Sequence, residues 1–78
     1  MIHSMNSTVK LVISKVLHLS LEEISDHSSS ESIDEWDSLA HMRLVLALEE
    51  EFGITFDDVQ IAEMTSVSSI SKIIESNR

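Results

Sequence analysis

The sequence predicts an all-α fold, a small four-helix bundle with a long first loop and a short third helix. Three observations carry this expectation. Proline is absent and glycine occurs once in 78 residues, which leaves few of the punctuators that tight turns use. Hydrophobic residues make up 42% of the chain, too many for a disordered acidic tail. Along the chain, apolar side chains recur at three- and four-residue steps, the period of one helix face.

From Met5 to Leu17 the apolar series Val9, Val12, Ile13, Val16 and Leu17 defines a first amphipathic helix, with Asn6 or Ser7 able to cap its start. The stretch "HLSLEEISDHSSSESIDEWD" follows, polar and serine-rich. Leu21, Ile24, Ile33 and Trp36 are scattered through it as anchors without a sustained period, so it reads as a long ordered loop. A second helix is expected from Ser38 or Leu39 to Phe52, where Gly53 supplies the left-handed residue that ends it. Leu44, Leu48 and Phe52 form its core stripe, while Leu39, Met42, Val45 and Leu46 widen the apolar surface beyond one face. After "GITF" a short third helix is expected over Asp57 to Glu63. Thr65 or Ser66 caps a fourth helix carrying Val67, Ile70, Ile73 and Ile74. No internal repeat or shift in composition marks a second unit, so residues 1–78 read as a single domain.

Composition narrows the functional classes. A chain this short has a thin core and little depth for an enzyme pocket. With no cysteine it has neither a disulfide framework nor a thiolate zinc site. "MIHSMNSTVK" lacks the basic start and apolar stretch of a signal peptide, and no long apolar run follows; a soluble, cytoplasmic monomer without membrane insertion is expected. Five Lys and Arg face fourteen Asp and Glu, a formal charge of −9, which repels nucleic acid and anionic lipid and attracts basic protein surfaces.

The segment "EWDSLAHMRL" holds the informative serine. Ser38 stands where a helix begins, so the unpaired N–H groups and the positive dipole end of that helix favour a phosphate on its oxygen. The competing reading is an N-cap, a place that Ser and Asp both fill well.

Context separates the two. "WDSLAHMRLVLALEEEFGI", Trp36 to Ile54, resembles the prosthetic-group region of acyl carrier proteins, in which an Asp-Ser-Leu triplet opens the second helix and an acidic cluster ends it. The resemblance rests on Asp37, Ser38 and Leu39, on Leu44, on "ALEEEFGI" from Ala47 to Ile54, and on "TSVSSISKII", and it covers nearly the whole chain. Two positions depart from many fatty-acid-synthesis members. Trp36 replaces a glycine two residues before the serine, and Arg43 replaces an acid five residues after it. The Trp-Asp-Ser-Leu form is similar to carriers of specialised lipid, polyketide or related biosynthesis.

The resemblance implies that a separate magnesium-dependent phosphopantetheinyl transferase joins 4'-phosphopantetheine from coenzyme A to Ser38. Acyl groups then ride as thioesters on that arm, and the chain itself is not an enzyme. Asp37 would define the site for the transferase and Leu39 would be an apolar contact beside it, or else core. Met42 and Leu46, one turn apart and in line with Leu39, face acyl-loading and acyl-processing enzymes or an attached acyl chain, or else belong to the core. Glu49, Glu50 and Glu51 meet basic groups on such partners or form a solvated run. Phe56 completes an apolar partner edge, and Met64 is assigned to the core.

Rival readings fare less well. Asp37, Ser38 and His41 look like a hydrolytic triad, but a serine and histidine on one helix lack the orienting group and oxyanion pocket, and His41 is expected to be a solvated surface residue. Asp26, Ser28, Ser30, Ser32, Asp34 and Asp37 fall at EF-hand ligand positions, yet Glu31 stands where the sharp turn needs glycine. The four histidines lack paired spacing, so no metal site is expected. The alternative from another class is a non-enzymatic acidic helical adaptor that docks a protein partner.

Overall fold

The computed structural model describes residues 5–77 and contains four α-helices, with no strand among those residues. Helix α1 spans Met5–Leu17, α2 Ser38–Phe52, α3 Asp58–Glu63 and α4 Val67–Ser76. The α1 series Val9, Val12, Ile13 and Leu17 is buried, as its period requires. Helix α1 packs against both α2 and α4, while α3 packs on α4. Buried Ser71 of α4 donates to Asn6 Oδ1, tying that face of α4 to the first turn of α1.

Helix ends follow local chemistry. α1 closes without glycine: His18 takes the left-handed conformation at φ 58°, and Leu19 N–H returns to the Ser14 carbonyl at 3.0 Å in a Schellman arrangement. At the end of α2 Gly53 does the same at φ 65°, with Gly53 and Ile54 N–H groups both reaching the Glu49 carbonyl. α3 begins in a reciprocal capping box, Gln60 N–H to Asp57 Oδ1 at 2.8 Å and Asp57 N–H to Gln60 Oε1 at 3.1 Å. Ser66, not Thr65, caps α4, and it exchanges hydrogen bonds with Ser69 in the same pattern.

The connection from α1 to α2 is ordered by its serines. It contains one 3-10 turn, Leu21–Glu23, whose Glu23 carboxylate accepts the Ser20 N–H. Ser28 Oγ accepts Ser25 N–H and Ser32 Oγ accepts Ser29 N–H, each at 2.9 Å, so two successive hydroxyls fold the backbone into turns. An antiparallel bridge pairs Ser29 with Ser66, flanked by Ser30 N–H to the Thr65 carbonyl and Val67 N–H to the Ser28 carbonyl. The loop is thereby stitched to the junction of α3 and α4. Ile24, Ile33 and Trp36 anchor it in the core; Leu21, expected as a fourth anchor, is exposed because the 3-10 turn points it outward. Asp26 is held on α1 by Lys10 at 2.8 Å, and that hydrogen bond and charge lower its carboxyl below the usual carboxylate range.

Leu44, Leu48, Met64, Ile70 and Ile74 are fully enclosed. Phe52, the expected third member of the α2 stripe, is only half-buried at the helix end, and Val45, expected on the widened surface, is buried instead. Among the described residues, no helix is long and apolar enough to cross a membrane.

Candidate functional site

Asp37 holds the cap position of α2: its backbone is extended and its Oδ1 accepts Ala40 N–H at 2.9 Å. Ser38 is therefore not the cap. Ser38 is the first helical residue, exposed, and its hydroxyl makes no hydrogen bond among the described residues. It therefore stands free at a helix N-terminus whose first N–H groups lack intrahelical acceptors, with the dipole's positive end behind it.

Leu39, Met42 and Leu46 lie on the outer face of α2, with 64%, 48% and 60% of their surface exposed, so the core alternative for these three is ruled out. Glu50 and Glu51 are exposed beyond them. Glu49 differs: it is half-buried, and its Oε2 accepts Phe56 N–H at 2.9 Å, fastening the segment after α2 back onto the helix. Phe56, expected at the partner edge, is 5% exposed and belongs to the core, because that fastening turns its ring inward. Met64 is core as expected. On α3, Val59 is exposed at 67%, an apolar surface residue that the sequence reading missed because one isolated valine carries no period.

His41 also corrects an expectation. It is half-buried rather than solvated: Trp36 Nε1–H donates to its Nδ1 at 3.0 Å, and its Nε2 lies 2.8 Å from the Ile61 carbonyl oxygen. With both ring nitrogens engaged, the histidine has none left to serve Ser38 as a base, so a hydrolytic triad is not formed. The two rings stack with centroids 6.3 Å apart. A groove of about 610 Å³ opens beside them, with Ser38 on its rim and Met42, Ile61 and Ala62 among its apolar walls. Among the described residues, no group of three His, Asp or Glu side chains is placed to hold a metal ion.

The fold is a small helical bundle with an exposed serine hydroxyl at the start of α2. The family described as "Phosphopantetheine attachment site" matches residues 7–74. The acyl carrier protein of Buchnera aphidicola subsp. Schizaphis graminum is 31% identical over 77 residues, spanning 97% of this chain and 98% of that protein. The acyl carrier protein of Wolinella succinogenes is 31% identical over 70 residues, spanning 90% and 92% respectively. The solution structure of a holo acyl carrier protein from Geobacter metallireducens superimposes with a TM-score of 0.84 at 21% identity, covering 96% of this chain and 86% of that one, a likeness of fold. The chain belongs to the acyl carrier protein family, non-catalytic carriers of acyl groups whose prosthetic group is 4'-phosphopantetheine.

The residues present fit that group. Ser38 Oγ, exposed and with no hydrogen bond among the described residues, could form a phosphodiester, and its negative charge would lie at the N-terminal end of α2. When bound, the arm supplies the thiol that this cysteine-free chain lacks.

Proposed function

We propose that Ser38 is the attachment point and that the chain serves, as a single cytoplasmic domain, a specialised lipid, polyketide or related pathway. The observation that carries the attachment is the division of labour at the start of α2: Asp37 takes the cap, and the Ser38 hydroxyl is exposed, with no hydrogen bond among the described residues. In the modification the Ser38 oxygen bonds to the phosphorus that bears the pantetheine arm in coenzyme A. The pyrophosphate linkage breaks, and adenosine 3',5'-bisphosphate leaves. The proton and the magnesium chemistry are handled by the phosphopantetheinyl transferase, because no base among the described residues hydrogen-bonds to the Ser38 hydroxyl and both His41 ring nitrogens are engaged elsewhere.

Docking is assigned to the outer face of α2. Leu39, Met42 and Leu46 offer the apolar contact, and the flexible methionine suits a succession of transferase, loading and processing enzymes. Glu50 supplies charge for basic groups on those enzymes, favouring fast and reversible encounter. Glu49, engaged with Phe56, contributes its charge from a fixed position. Trp36 and Arg43, in place of the glycine and acid of many fatty-acid-synthesis members, support the specialised pathway.

Intact mass spectrometry after incubation with coenzyme A, magnesium and a phosphopantetheinyl transferase tests the proposal. One arm is gained, and fragmentation places it on Ser38. A chain that stays unmodified, or one labelled elsewhere, would indicate the acidic adaptor or a different site.

A further inference from the structure

Helix α3 is six residues long and packs on α4, so packing alone does little to close the seam between α3 and α2. A chain of polar groups closes it instead. Trp36, at the end of the long loop, donates its indole N–H to His41 Nδ1 on the first turns of α2. Because Nδ1 accepts, the ring proton lies on Nε2, which donates to the Ile61 carbonyl in α3. Loop, α2 and α3 are thus joined at one point, next to Ser38. Trp36 is 4% exposed, so its indole fills the seam as well as linking across it.

Outside this link lies the open groove with Ser38 on its rim. Beneath it Leu44, Leu48, Met64 and Ile70 are entirely enclosed, so solvent does not reach the core. A long alkyl chain tethered near Ser38 gains by leaving water, roughly in proportion to the apolar area it buries. To reach the core through this seam it would have to part Trp36 from His41 and His41 from the Ile61 carbonyl, which keeps the Met64 N–H at 3.3 Å, so the buried indole N–H and the imidazole lose their partners. In the groove it would stay partly wet. A short acyl group with a hydroxyl or amino substituent has little to gain from the core, and in the groove it keeps its water. Asp37 and Asp58 border the same groove and make its polar side acidic.

We propose that the Trp36–His41–Ile61 link is the specificity element of this carrier: it bars the tethered group from the core and keeps it in the open groove, favouring short acyl groups over long alkyl chains. This rests on the assignment of the arm to Ser38. The link acts by position, since none of its groups reacts.

The test compares acetyl, 3-hydroxybutyryl and octanoyl forms of the arm-bearing protein by thermal melting and by amide chemical shifts. In the wild type all three forms melt within ~1 °C of one another, since none gains core burial. Cargo-dependent shifts cluster at Trp36, Met42 and Ala62, while Leu48 and Ile70 stay still. His41→Ala and Trp36→Phe break the link from its two sides. Each variant is compared with its own acetyl form, so a general loss of stability cancels. There the octanoyl form melts ~4 °C or more above the acetyl form, and Leu48 and Ile70 now shift. A wild-type octanoyl form that already shows this rise and these shifts overturns the closed seam, whether or not either variant folds. Folded variants without a chain-length effect overturn the role of the link. If no arm is gained at all, intact mass shows it before any acyl group is attached, and the Ser38 assignment fails instead.

Discussion

Replacing Asp37 and Ser38 one at a time separates the two tasks that share the start of α2. Asp37→Ala removes the acceptor of Ala40 N–H, a 2.9 Å bond at an exposed helix end. Loss of such a cap costs about 0.5–2 kcal/mol. In a domain of this size each kcal/mol lowers the melting temperature by roughly 4–8 °C. Ser38→Ala removes a hydroxyl with no hydrogen bond among the described residues and installs a better helix former, so its stability change should stay within about 0.5 kcal/mol. Modification should follow the opposite order: absent in Ser38→Ala, slowed but present in Asp37→Ala. Asp37→Asn keeps the cap, because asparagine serves that position equally well, and removes the charge. It should melt like the wild type, and any slowing of its modification isolates what the transferase reads from the carboxylate. Thermal melts by circular dichroism and intact mass over time measure both properties on the same samples. The reasoning is refuted if Ser38→Ala melts as low as Asp37→Ala, since the serine would then be the cap, or if Ser38→Ala still gains the arm.

Other expectations follow from the same helix and from the end of α1. Leu48→Ala should lose about 2–5 kcal/mol, because a fully enclosed side chain leaves a cavity, whereas Met42→Ala, 48% exposed, should melt close to the wild type and load more slowly. Equal melting points for the two variants would place Met42 in the core. Glu50→Lys should slow transfer from coenzyme A with helical content intact, and added salt should slow the wild type more than this variant; equal salt dependence would remove Glu50 from the encounter. His18→Gly should raise stability by about 1 kcal/mol, since glycine adopts the left-handed conformation that a histidine at φ 58° holds at a cost; an unchanged melting point would show that His18 is compensated there.

The helices were legible because the signals that start and stop them are local. Asp37, Gly53, Asp57 and Ser66 sit where capping chemistry puts them, and each acts within four residues of its partner. The end of α1 was less explicit, since its left-handed residue is a histidine and carries no glycine signature. Burial on α2 was legible for Leu44 and Leu48, which continue one stripe, but not for Val45, whose placement depends on the helices packed around it. The long loop hid its order because each serine bonds within a turn while the Ser29–Ser66 bridge joins segments far apart in sequence. Phe56 and His41 were misplaced for one shared reason. Phe56 is turned inward by Glu49, seven residues before it, and His41 is drawn in by Trp36 and by Ile61, a residue twenty positions later on another helix. No periodicity rule encodes such contacts. The Trp36 and His41 types, five apart across a helix start, were the available signal, because an indole N–H that is buried needs an acceptor.

Helix α2 carries charge in the wrong places for its own stability. Beyond its cap the first turn holds no acid to meet the positive end of the dipole, and the last turn holds three glutamates with no base. Each misplaced charge forgoes or costs about 0.3–1 kcal/mol at an exposed terminus. Glu49 recovers part of this through the Phe56 N–H, which Glu50 and Glu51, both exposed, do not. On the proposed function the pattern has a physical reason. A phosphodiester on Ser38 brings negative charge to the vacant N-terminal end, and basic groups of a docked enzyme neutralise the acidic C-terminal end. The two changes relieve the same helix from opposite ends, so modification and docking should each stabilise α2 without requiring it to move. On that proposal α2 is better matched in its complexes than alone, and the thin core beneath it, with Leu44 and Leu48 fully enclosed, holds the free carrier together until they form.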